Sequence, residues 1–103
     1  GELFEHFIFL ELKSYQIQQR ADWELEFWRT HRQDEVDFIL GKGEVIVEVK
    51  SGTSIKPEHL KGIKKFKDEF QSKRQILVCQ TSEKKIIDGV EIYPWNQFLE
   101  ELW

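Results

Sequence analysis

Two short runs of alternating residues, 35–40 and 45–50, constrain the fold of this chain most strongly. Apolar side chains recur at every second position in both runs, and the segment between them, Gly41-Lys42-Gly43-Glu44, is a turn signal. The two runs are therefore predicted to form a β-hairpin with one valine-rich face. Two registers match that face across the strands, setting either Asp37 or Glu35 directly opposite Glu48, and both place Asp37, Glu48 and Lys50 on the other face. One extra residue near the turn glycines would break this parity.

The segments around the hairpin complete an α/β pattern. Helical periodicity or continuous β-patterning marks further segments: a helix at 2–18, a strand at 23–28, a helix at 57–71, strands at 75–80 and 90–93, and a final helix opened by Pro94. The predicted order is α-β-β-β-α-β-β-α. The helix between the third and fourth strands is long enough for a crossover, which makes those strands parallel. The sequence thus predicts an α/β domain with a mixed central sheet flanked by helices.

The length and composition of the chain exclude several classes of protein. A chain of 103 residues is predicted to form one domain, and its single cysteine, Cys79, excludes an internal disulfide framework and a cysteine-based zinc site. Cys79 lies in an apolar run, which is typical of a buried, reduced thiol in a cytoplasmic protein. No apolar stretch is long enough to span a membrane, and no secretion signal follows Gly1. The lack of any methionine indicates a fragment of a longer protein.

Charge is distributed unevenly along the chain. The net charge is −4, yet residues 56–74 contain seven basic and three acidic residues. Separated charge is expected of a protein with one anion-facing surface, although a solvated lysine-rich helix gives the same pattern. Lys61, Lys64 and Lys65 lie away from the apolar stripe of that helix, so they are the candidate phosphate contacts. Arg29 and Arg32, in the loop entering the second strand, are further candidates, with an ordinary loop role as the alternative.

The polar face of the hairpin is the candidate chemical site. Two carboxylates suit Mg²⁺, which takes one or two carboxylates and keeps waters or phosphate oxygens. Lys50 beside them can orient the attacking water and offset charge on the phosphate. Glu5, on a first helix expected to pack over the same face, offers a further carboxylate. The alternative is an exposed same-face pair of Glu48 and Lys50, but Ile39 and Ile46 interrupt the face and indicate that it is covered.

These residues carry a resemblance to a known superfamily. Asp37, ten intervening residues and then Glu48-Val49-Lys50, on a hairpin behind an opening helix, resemble the PD-(D/E)XK nucleases. The blocks Gly1–Glu5, Phe27–Phe38, Glu48–Ser51 and Tyr93–Leu99 are similar to the domain of unknown function at the C-terminus of predicted prokaryotic AAA-type ATPases. One departure is Val36, which stands where the superfamily's proline is expected.

The resemblance implies a fold, an activity and a partner. The fold is the restriction-endonuclease-like α-β-β-β-α-β core, and the activity is DNA cleavage that depends on Mg²⁺ or Mn²⁺. Asp37 and Glu48 match the two acids of the signature, Lys50 its lysine, and Glu5 the acid that many members add from the first helix. An N-terminal AAA-type ATPase domain is the implied partner in the parent chain. A non-catalytic module that binds nucleic acid or protein, and a structural domain that stabilises an oligomer, remain the alternatives.

Overall fold

A computed structural model of the chain describes residues 2–18, 25–29, 35–41 and 44–102. They form three α-helices and a six-stranded sheet with strand order β1-β2-β3-β4-β6-β5. The elements, in chain order, are α1 (Glu2–Gln18), β1 (Leu25–Arg29), β2 (Glu35–Leu40), β3 (Val45–Val49), a 3₁₀ helix (Pro57–Leu60), α2 (Lys61–Glu69), β4 (Arg74–Cys79), β5 (Lys85–Ile87), β6 (Val90–Pro94) and α3 (Trp95–Leu102).

The sheet is mixed, as the sequence predicts. β4 runs parallel to β3 on one side and to β6 on the other, whereas the pairs β1–β2, β2–β3 and β5–β6 are antiparallel. The 3₁₀ helix and α2 make the predicted crossover between β3 and β4. β4 is buried along all but its first residue, which fits a central strand with apolar side chains on both faces.

The β2–β3 hairpin adopts one of the two predicted registers. Phe38 pairs with Val47 and Leu40 with Val45, as in the predicted register that sets Asp37, rather than Glu35, across from Glu48, but the pairing ends at Phe38. The alternation also predicted Val36 on the valine-rich face, and this is wrong, because Val36 lies in the apolar cluster of the opposite face. Gly41 closes the turn with a φ of 64°, a left-handed conformation that glycine adopts without steric cost.

Helices cover both faces of the sheet and bury two separate clusters. On one face, Ile8 and Leu12 of α1 pack with α3 against Val47 and Val49. On the other face, the 3₁₀ helix and α2 pack against residues that include Ile39, Ile46 and Leu77. This second arrangement confirms that the face carrying Ile39 and Ile46 is covered.

Two further details of the fold differ from the sequence predictions. A further strand, β5, precedes the Asp88-Gly89 turn and pairs with β6; both turn residues have positive φ, the geometry of a tight two-residue hairpin. The stripe of α2 ends earlier than expected. Phe70 is 48% exposed, because the helix stops at Glu69 and Phe70 takes an extended conformation.

Candidate functional site

A β-bulge lies at the centre of the candidate site. In the β1–β2 ladder, Glu26 pairs with Ile39, but Trp28 pairs with Val36, so β2 contains one extra residue at Asp37–Phe38. The packing agrees, because Val36 and Ile39 enter the same apolar cluster although three residues separate them. The parity of the hairpin therefore changes at Asp37, inside β2, and not at the turn.

The Asp37 carboxylate, at the bulge, is hydrogen-bonded to the backbone of β3. Oδ2 of Asp37 accepts a hydrogen bond of 2.8 Å from the backbone N–H of Val49. The next amide, that of Lys50, donates to Val78 on β4 at 2.9 Å, so the Val49 amide points to the β2 side. The carboxylate thus fills a position in the ladder that a backbone carbonyl ordinarily holds. This contact places Asp37 directly beside the segment from Glu48 to Lys50.

Glu48 lies in the interior of the sheet. It is 3% exposed and alternates with Val47 and Val49, so its side chain belongs to the face that α2 covers. Its neighbour on β4, Leu77, lies in the apolar cluster of that face. A carboxylate so deeply buried requires compensation by a hydrogen bond, a cation or a proton. Lys50 is half-buried and lies two residues further along, just past the end of β3.

Glu5 does not lie where the sequence reasoning placed it. The expectation that α1 covers the face of Glu48 is wrong, because Ile8 and Leu12 bury against the opposite face. Periodicity identifies the buried stripe of a helix but not the sheet face that receives it. Among the residues that the structure describes, no three His, Cys, Asp or Glu side chains are grouped to hold a metal ion. Of the candidate carboxylates, Asp37 is bonded to the Val49 amide, and Glu48 is the residue before Val49.

The candidate phosphate-binding lysines lie on the outer side of α2, as predicted. Lys61 and Lys64 are exposed and Lys65 is half-buried. Lys64 pairs with Asp88 at 2.9 Å, and Lys65 with Glu69 at 3.8 Å, so both charges are partly offset. The Arg29 side chain and the whole of Arg32 lie outside the described residues.

A charged network at the opposite end of the sheet was missed from the sequence. Arg74 donates to both carboxylate oxygens of Glu91, at 3.0 and 2.9 Å, and Tyr93 accepts from Lys84 at 2.8 Å. The hydrogen bonds from Arg74 lower the pKa of Glu91, and the bond to Tyr93 raises the pKa of Lys84. The parallel pairing of β4 with β6 brings Arg74 beside Glu91 and Tyr93. Residue patterns within either strand do not predict which strands pair with each other.

Arg74 and Tyr93 also line a pocket of about 360 Å³. It lies between the β2–β3 turn, the start of β4 and α3, on the face that α1 covers. Glu48 and Lys50 stand at the other end of β3, so the pocket is separate from the candidate site.

Cys79 is buried and free, as predicted. Burial raises the pKa of its thiol, which keeps the sulfur protonated and a poor nucleophile. Cys79 therefore has a packing role in the apolar cluster beneath α2 and is not a candidate nucleophile.

Comparison with known proteins gives one family. Residues 1–98 match the model of a family described as a domain of unknown function, DUF4143. The chain belongs to the DUF4143 family. DUF4143 domains are found in ATPase-associated proteins. No curated protein and no solved structure matches this DUF4143 chain. Within the described ranges, no helix of the domain has both the length and the apolar character to cross a bilayer.

Proposed function

We propose that this DUF4143 domain is a metal-dependent DNA phosphodiesterase of the PD-(D/E)XK type. One observation carries the proposal: the Asp37 carboxylate is hydrogen-bonded to the amide of Val49, the residue between Glu48 and Lys50. This bond holds Asp37 next to the segment of the chain that carries Glu48 and Lys50, where β3 ends. Open α/β sheets commonly bind ligands beyond the carboxyl ends of their parallel strands, and β3 ends there beside β4.

The chemistry of the two carboxylates fits a hard divalent cation. Asp37 and Glu48 offer oxygen ligands alone, and two carboxylates are a sufficient protein contribution for Mg²⁺ or Mn²⁺ when substrate phosphate and water fill the remaining positions. When bound, such an ion polarises a phosphoryl oxygen and lowers the pKa of a coordinated water. The burial of Glu48 supports this role, because a cation compensates a carboxylate that water cannot reach.

The remaining residues of the site act on the water and on the substrate. In the proposed mechanism the Lys50 ammonium orients the attacking water and offsets the negative charge that builds on the phosphate. The lysines of α2 contact the DNA backbone. α2 covers the same face of the sheet as Glu48, so DNA bound along its outer side lies on the side of the candidate site. The proposed setting is the cytoplasm, in one chain with an AAA-type ATPase domain.

Metal-dependent cleavage of labelled single-stranded, duplex and branched DNA tests the proposal. The chain should cut at least one substrate with Mg²⁺ or Mn²⁺ and not with EDTA, and Lys50→Ala should abolish cutting. Lys73→Ala is the matched control, since Lys73 is exposed at the other end of β4 and pairs with Glu44. Cleavage that survives both Lys50→Ala and Glu48→Gln would refute this assignment of the site.

A non-catalytic module is the second candidate. The observation that favours it is that α1, the helix that carries Glu5, covers the sheet face opposite to that of Glu48. In this alternative the domain binds nucleic acid or protein for its ATPase and retains only part of the nuclease site. Calorimetry separates the two functions: wild-type protein that binds neither Mg²⁺ nor Mn²⁺ at millimolar concentration, and cuts no substrate, is a binding module.

A further inference from the structure

The pocket at the start of β4 has the size and the lining of a small-molecule site. Its volume of about 360 Å³ lies within the range of ligand pockets and has room for roughly ten to fifteen non-hydrogen atoms. Side chains of the sheet and of α3 form its apolar wall: Leu40, Val45, Ile76, Phe98 and Leu102. Ligand sites are typically lined in this way, with a few polar groups that orient the bound molecule.

The Tyr93 hydroxyl is the buried polar group of this pocket. Tyr93 is 4% exposed, and its oxygen accepts hydrogen bonds from Arg74 at 3.3 Å and from Lys84 at 2.8 Å. Arg74 lines the pocket as well, so its contact with Tyr93 lies at the pocket wall. Both donors are cations, and their bonds occupy the lone pairs of the oxygen, which leaves the hydroxyl proton to be donated. Among the residues that the structure describes, none accepts that proton, so a ligand atom that accepts it gains affinity.

The charges around the hydroxyl favour an anion as the acceptor. Two cations, Arg74 and Lys84, converge on the Tyr93 oxygen. One carboxylate, that of Glu91, lies between them, at 2.9 Å from Arg74 and 3.5 Å from Lys84. One positive charge therefore remains in excess beside the hydroxyl. An anionic acceptor also makes a stronger hydrogen bond to an O–H donor than a neutral acceptor does.

The two acids that line the pocket do not reverse this preference. Glu44 and Glu101 are exposed, and Glu44 pairs with Lys73 at 3.3 Å. Water and salt screen exposed charges, so these acids act on a ligand less than the buried hydroxyl does. We propose that the pocket binds a small carboxylate with an apolar body. The carboxylate accepts the proton of Tyr93, and the body packs against the apolar wall. This site is independent of the proposed nuclease function, because Glu48 and Lys50 lie at the other end of β3.

Titration with octanoate, followed by heteronuclear NMR, tests the site. Octanoate should bind with a dissociation constant of roughly 0.1–1 mM and shift the amide signals of Val45, Ile76 and Phe98. Octylammonium and octanol carry the same chain with a cationic or a neutral head, and each should bind about tenfold more weakly. If octanoate does not bind at about 10 mM, or shifts only signals remote from the pocket, the proposal is wrong. Equal or tighter binding of octylammonium or octanol would overturn the assignment of an anion.

Substitutions test the polar contacts. Tyr93→Phe keeps the ring but removes the hydroxyl, and it should weaken octanoate binding about tenfold. Lys84→Ala should weaken it about threefold. Lys85→Ala is the matched control, because Lys85 pairs with Ile92 on the face that α2 covers, and it should stay within about twofold of the wild type. Wild-type affinity in Tyr93→Phe, or equal losses in the two lysine variants, would contradict the proposed contacts. The comparison of the three compounds on the wild type decides the ligand class even if Tyr93→Phe does not fold.

Discussion

Replacing Asp37 in two ways separates its part in the fold from its proposed part in binding metal. Asparagine keeps an oxygen that can accept the hydrogen bond from the Val49 amide but removes the charge. Alanine removes both. Hydrogen bonds to charged groups contribute about 1.5–3 kcal/mol and neutral ones about half as much, and a buried donor left without an acceptor costs ~1–3 kcal/mol. Asp37 is half-buried, which points to the lower part of these ranges.

The expected losses in the free energy of unfolding are therefore about 1.5–2 kcal/mol for Asp37→Ala and about 0.5–1 kcal/mol for Asp37→Asn. Urea denaturation resolves this difference, because a gap of ~1 kcal/mol moves the midpoint by roughly 0.5–1 M. Asp68→Ala, at an exposed position of α2, is the control and should stay within about 0.5 kcal/mol of the wild type.

Calorimetric titration with Mg²⁺ or Mn²⁺ completes the comparison. Both Asp37 variants should lose binding, since each removes a ligand charge. Equal stability of the asparagine and alanine variants would refute the anchoring of the bulge by this hydrogen bond. An asparagine variant that binds metal like the wild type would show that Asp37 only supports the strand.

Two more predictions concern charges outside the site. The first changes Lys61, Lys64 and Lys65 together to Glu, and DNA affinity is measured by fluorescence anisotropy at several salt concentrations. The slope of log affinity against log salt should become shallower by roughly one unit for each phosphate that the variant no longer neutralises. An unchanged slope would mean that DNA approaches another face. Glu91→Gln should cost ~1 kcal/mol near neutral pH, because the Arg74–Glu91 pair is well aligned but partly exposed. Arg74 lowers the pKa of Glu91, so this stabilisation is present above the unfolded pKa of ~4.3 and is lost as the pH falls through the lower folded pKa. The urea midpoints of wild type and variant should therefore converge as the pH is lowered. Convergence on raising the pH instead would contradict that sign.

Local alternation was sufficient to predict the hairpin and the faces of its strands from Phe38 to Val49, because Val45, Val47 and Val49 repeat with a period of two. It gave the wrong face for Val36, which lies beyond the bulge. The parallel pairing of β3 with β4 also followed from the sequence, because a helix of that length between two strands leaves few other connections.

The bulge could not be predicted, because no residue type announces it. Neither glycine nor proline occurs in β2, and the extra residue becomes visible only when Glu26 and Trp28 are paired with their neighbours across the ladder. The sheet face that α1 covers could not be predicted from the sequence for a related reason. Apolar residues occur on both sides of the helix, so the periodicity did not indicate which side packs against the sheet.

The central position of β4 determines how the domain unfolds. The antiparallel ribbon from β1 to β3 and the β5–β6 hairpin have no strand pairing with each other, and both join the sheet through β4. Opening at either edge of the sheet leaves the remaining ladders intact, so edge amides exchange with solvent through small local fluctuations. Releasing β4 divides the sheet into two parts, each with an uncovered edge. The amides of β4 are consequently expected to exchange only through unfolding of the whole domain, so their exchange rates report its folding stability.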